Sequence, residues 1–223
     1  MKKLEIACFN SESALIAQQG GADRIEFCAN LKEGGTTPDF KTIKKLLPEI
    51  RVDLYVMIRP RGGNFEYSEE EFQQMKAEIR EFKTIGVNGF VFGILNHDKS
   101  INLQQNTELV ELAKPLPCTF HRAFDQVQDV FLSLEKVIQC GFSTVLTSGT
   151  MPNVVEGITV LKQLVAKADN RITIMPGGGL RSSNIRLVKE QTRAGFYHSS
   201  AITDGSETAN PEEVKALKAN LNG

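Results

Sequence analysis

The chain has 223 residues, 41% of them hydrophobic, with 18 Gly and 8 Pro. That composition excludes disorder, and at about 150 residues per domain the length allows one large domain or two small ones. Twenty-six Lys and Arg against 27 Asp and Glu leave a net charge of −1, without the basic footprint of a general nucleic-acid binder. A chain of this length buries roughly 70–75% of its unfolded surface, so stability requires neither a disulfide nor a structural metal. The longest apolar run, Phe90 to Leu95, is too short to cross a bilayer. Glu5 interrupts the apolar core that a signal peptide starting at Lys2 and Lys3 would need, so the expectation is a cytoplasmic protein without a membrane partner. Cys8, Cys28, Cys118 and Cys140 show no C-x-x-C spacing, which excludes a zinc ribbon and a thioredoxin motif.

In chain order, short apolar or β-branched runs predict strands at 4–8, 23–28, 53–59, 88–93, 118–121, 144–147, 172–176 and 195–198. Amphipathic segments separate them. Phe72, Met75, Ile79 and Phe82 step by three and four, as do Val154, Ile158, Leu161 and Val165. Helix starts are marked by Thr37-Pro38, by the Ser68/Glu71 capping box and by Asn210-Pro211 with Glu213. A Gly-x-x before a strand recurs at Gly21, Gly86 and Gly141, more loosely at Gly195. Eight βα units of about 28 residues consume the chain, which predicts one (β/α)8 TIM barrel over 1–223. A doubly wound open sheet is the alternative.

In a barrel the chemistry gathers at the carboxyl ends of the strands. Period-two alternation turns Glu5, Arg24, Glu26, Cys28, Tyr55, Met57, Arg59, Thr119, His121, Phe196 and His198 inward. Burying that many charges is costly unless they are paired or used. Two assignments stay open: a structural network of ion pairs, or acid–base chemistry by Glu26 and His121 with Glu5 and His198. After the seventh strand, Gly177, Gly178 and Gly179 could admit an anion to backbone N–H groups, and Ser199 and Ser200 add hydroxyls. Arg59, Arg61 and Arg122 carry forks suited to carboxylate or phosphate, unless Arg61 and Arg122 pair with acids such as Glu66 and Asp125. No lysine lies on a predicted strand end and no G-x-S-x-G elbow occurs, which disfavours Schiff-base and serine chemistry.

Five blocks taken together resemble the CutC copper homeostasis family. They are Gly20 to Cys28, Met57 to Gly63, Thr119 to Asp125, Leu146 to Gly149 and Ile174 to Gly179. The resemblance runs from about Leu4 to Ala201, with Phe27 in place of an expected Leu and a divergent tail from Ile202. It implies a cytosolic barrel, a homo-oligomer with a dimer favoured, and Cu(I) bound through cysteines matching Cys8 and Cys28. Two thiolates at adjacent strand ends would suit Cu(I), and Met57 and Met175 offer thioethers. Glu5, Glu26, His121 and His198 form a harder set for a divalent ion. The two functional expectations are a Cu(I)-binding homeostasis protein and an enzyme acting on a small anionic or phosphorylated metabolite.

Overall fold

The computed structural model describes residues 2–223. Its strands are β1 (Lys3–Cys8), β2 (Arg24–Phe27), β3 (Asp53–Met57), β4 (Gly89–Phe92), β5 (Cys118–Phe120), β6 (Thr144–Thr147), β7 (Thr173–Pro176) and β8 (Phe196–Ser199). The helices are α1 (Ser11–Gln19), α2 (Phe40–Leu46), α3 (Glu69–Lys83), α4 (Leu103–Ala113), α5 (Val130–Cys140), α6 (Ile158–Ala168), α7 (Ile185–Thr192) and α8 (Pro211–Asn222). Every paired strand is parallel, in the order β7-β6-β5-β4-β3-β2-β1-β8, and β7 and β8 lie side by side to close the ring. This is the (β/α)8 barrel, not the open sheet. No helix among the described residues is long and apolar enough to cross a membrane.

The period of two divides each strand between two environments. Leu4, Ile6, Ile25, Leu54, Val56, Phe90 and Phe92 face outward and are fully buried against the helices. Each such side chain contributes about 1.5–3 kcal/mol on burial, and this layer holds the helices to the barrel. Phe72, Met75, Ile79 and Phe82 answer from α3. Its start is the expected capping box, with the Ser68 hydroxyl accepting from the Glu71 N–H and the Glu71 carboxylate accepting from the Ser68 N–H.

The α2 start differs from expectation. Asp39, not Thr37, caps the helix, accepting from the Thr42 N–H at 2.9 Å. Thr37 instead accepts the Arg59 N–H and donates to Glu78, each at 2.8 Å, and so ties the turn after β2 to the end of β3. Of the repeated glycines, Gly21, Gly86 and Gly141 adopt φ of 91°, 85° and 91° where a helix turns into the next strand. Before β8 that conformation belongs to Arg193, φ 56°, rather than Gly195. The tail carries the eighth helix, capped by Asn210 with Pro211 in its first turn.

Candidate active site

Register sets the lower interior. Glu5 on β1 stands opposite Arg24 on β2 and opposite His198 on β8. One Glu5 oxygen pairs with Arg24 Nε, and the other accepts from His198 Nδ1 at 2.7 Å. The Arg24 guanidinium lies between the Tyr55 and Phe196 rings, 4.2 Å from each centroid. Gly89, opposite Tyr55 on β4, makes room for this arrangement, since a Cβ there would fall 2.5 Å from the phenol ring. Burial opposes ionisation of Glu5, but Arg24 and His198 hold its pKa below the usual carboxylate value. Glu5, expected in a catalytic role, has both oxygens committed within this network.

Above that layer a cavity of about 200 Å³ opens at the carboxyl ends of the strands. Glu26, Cys28, Met57, Arg59, His121 and His198 line it, each from a strand end or within two residues beyond it. Glu26 is 3% exposed; its Oε2 is 3.9 Å from His198 Nε2, and its Oε1 has no hydrogen-bond partner. Burial, reinforced by Glu5 and partly offset by His198, pushes the Glu26 pKa up to about 7. Burial works against a charged His198, but Glu26 and Glu5 outweigh it and raise its pKa. His121 behaves oppositely: burial and the nearby Arg59 push its pKa down to about 3. Its Nδ1 accepts the Ala123 N–H at 3.3 Å, its ring packs on Phe65, and its Nε2 is buried without a partner.

The expected anion-binding residues separate on inspection. Arg59 donates to the carbonyls of Glu33, Gly35 and Gly63, which leaves Nε as its one buried nitrogen without a partner. Arg122 lines the cavity, braced by Asp125 at 2.8 Å and donating to Ser148 at 3.0 Å. Arg61 lies outside it, tied to Glu71 at 2.6 Å and to the Glu66 carbonyl at 2.8 Å. Here pairing with the acid that also caps α3 prevails. Gly178 and Gly179 line the cavity with φ of 102° and 72°, as do Ser199 and Ser200. Ser199 is partly spent, donating to the Leu180 carbonyl at 2.7 Å. Gly177 sits behind the wall, where a Cβ would meet Leu146 at 2.4 Å.

The thiols separate too. Cys28 faces the barrel interior with Met57, and both edge the backbone of Gly35, where an added Cβ would lie 3.3 Å from Cys28 Sγ and 3.7 Å from Met57 Cε. Cys8 follows Leu4 and Ile6 into the layer beneath the helices, and its thiol backs onto the Ile6 carbonyl at 3.6 Å. The expected Cys8–Cys28 pair is therefore divided between two layers, because period two turns Ala7 rather than Cys8 toward the cavity. Burial and Glu26 push both thiols well above their ordinary pKa. Of the harder set, Glu5, Glu26 and His198 bring ligand atoms within 4.8 Å of one another, and His121 is not among them. With Glu5 and His198 Nδ1 already bonded, only Glu26 and His198 Nε2 remain free, too few to hold a divalent ion unaided.

Arg181, Phe9 and Phe65 also line the cavity and carried no expected role. Arg181 stands two residues after the glycine loop, a signal that was legible; Phe9 and Phe65 lie in connecting loops without periodicity. No lysine lines the cavity.

The CutC family model matches residues 2–203. The chain is 43% identical over 198 residues to a human copper homeostasis protein cutC homolog, covering 89% of this chain and 72% of that protein. It is 45% identical to a CutC family protein of Parabacteroides distasonis, covering 90% and 84%. The crystal structure of a putative copper homeostasis protein CutC from Streptococcus agalactiae superposes with a TM-score of 0.85 at 33% identity, covering 91% of this chain and 100% of that one. The chain belongs to the CutC family.

Proposed function

We propose that this CutC family member is an enzyme that binds a small anionic metabolite at the barrel mouth and exchanges a proton with it through Glu26. One observation carries the reading: three buried polar atoms, Glu26 Oε1, His121 Nε2 and Arg59 Nε, lack partners, and their residues line one cavity. Each such atom costs about 1–3 kcal/mol when left unsatisfied, and a ligand would remove that cost. The basic side chains of Arg59, Arg122 and Arg181 favour an anion, and about 200 Å³ limits it to a small one. His198, held by Glu5, faces Glu26 at 3.9 Å, where its charge favours the carboxylate form. A thermal-shift series with pyruvate, malonate and inorganic phosphate tests the proposal. A dose-dependent rise in Tm is expected for at least one, weakened in Arg122→Ala. No rise with any of the three contradicts it.

A second reading, Cu(I) binding, draws support from the names of the relatives and from Cys28 beside Met57. In this reading copper is cargo, held by one thiolate and one thioether. Titration of the reduced protein with Cu(I) against a chelator should show one equivalent, lost in Cys28→Ser and kept in Cys8→Ser. Equal losses in both variants would restore the two-cysteine site.

A further inference from the structure

The Ala123 N–H fixes the state of the His121 ring. A peptide N–H can only donate, so Nδ1 must be the bare, accepting nitrogen, and the proton of a neutral imidazole then sits on Nε2. That Nε2–H is buried and without a partner, on a residue that lines the cavity. The Phe65 ring, 4.8 Å away between centroids, holds the imidazole in place, and Gly93 leaves no room for a side chain behind it. Arg59 lines the same cavity and brings a fixed positive charge beside the ring. Burial and Arg59 push the pKa of His121 down to about 3, so the ring stays neutral at physiological pH.

We propose that His121 donates its Nε2–H to the carbonyl oxygen of a small oxo acid, which defines the substrate class of the site and makes its reaction an enolisation. The inference rests on the proton-exchange reading of Glu26 given above. In the step, a proton leaves the carbon beside the carbonyl for Glu26 Oε1. Its bonding pair becomes the new C=C bond, and the C=O π pair moves onto the oxygen, where the His121 donor stabilises it. Return of the proton to the same carbon restores the C=O bond and completes a proton exchange, with nothing oxidised or reduced. A neutral imidazole suits this task because it donates strongly without surrendering its proton to the enolate.

The test uses the full-length protein labelled with ¹⁵N-histidine and ¹⁵N-arginine, and oxalate as a planar mimic of the enolate. The free protein should show His121 as the neutral Nε2–H tautomer at pH 6, and oxalate should shift that N–H resonance. His121→Phe, which keeps a ring but loses the donor, should weaken oxalate roughly tenfold; His121→Gln, which restores an N–H, should recover most of the loss. An Nδ1–H tautomer or an imidazolium at pH 6 overturns the proposal. So does oxalate that shifts Arg122 but leaves the His121 Nε2–H unmoved, although the anion-binding reading would then survive. Oxalate that shifts no cavity residue overturns both. Should His121→Phe fail to fold, the tautomer and the wild-type titration decide alone.

Discussion

The two ends of the barrel interior contain similar residues put to different uses. In the lower layer Glu5, Arg24 and His198 are joined by hydrogen bonds, and aromatic rings cover the guanidinium. In the upper layer Glu26, His121 and Arg59 each keep a buried polar atom without a partner. Charge and burial therefore do not distinguish the two layers; hydrogen-bond satisfaction does. Among the described residues five buried side-chain atoms lack partners, and three of them belong to residues that line the cavity.

Removing a partner from the satisfied layer should have the largest effect. Glu5→Ala leaves Arg24 buried without its carboxylate and should cost about 3–5 kcal/mol in denaturant unfolding, because an uncompensated charge remains. A loss below about 1 kcal/mol would mean that the network relaxes and that the contrast between layers is false. Glu26→Gln should instead leave stability nearly unchanged below about pH 4.5, raise it relative to the wild type at higher pH, and so remove part of the pH dependence. The sign follows from the raised pKa. The folded protein keeps the Glu26 proton up to about 7, whereas the unfolded chain releases it near 4.5, so stability falls as pH rises through this window. Chemical denaturation across pH 4.5–7 should show a flatter profile in Glu26→Gln.

His121 tilts the acid side the other way. Its folded pKa is depressed to about 3 from 6.5, so its contribution is complete above 6.5 and disappears as pH falls toward 3. His121→Gln should therefore flatten the acid limb; an unchanged limb would mean that the ring is already solvated. The smallest effect belongs to Arg61, half-exposed and outside the cavity. Arg61→Ala should cost no more than about 1 kcal/mol and leave anion affinity unchanged.

The barrel was legible because its alternation and strand positions depend on local patterning, which period two and helical spacing report directly. So were the inward row of Glu5, Arg24, Glu26, His121 and His198 and the cavity positions of Gly178 and Ser200. Partner choice was not. The capping box announces Glu71 at the start of α3, but nothing local says that it captures Arg61 as well, or that the carbonyls of Glu33, Gly35 and Gly63 occupy most of Arg59. Cys8 and Cys28 differ in parity: Cys8 follows Leu4 and Ile6 outward, whereas Cys28 packs inward with Met57. Strand ends that adjoin in the sheet still send side chains to opposite layers when their alternation differs by one residue.

The contrast between the two layers is tested most directly by a carboxyl-detected ¹³C NMR titration that follows Glu5 and Glu26 in one sample. Glu5 should titrate below the ordinary 4.5 and Glu26 near 7. Both carboxyls titrating together near 4.5, or Glu26 below Glu5, would contradict the account.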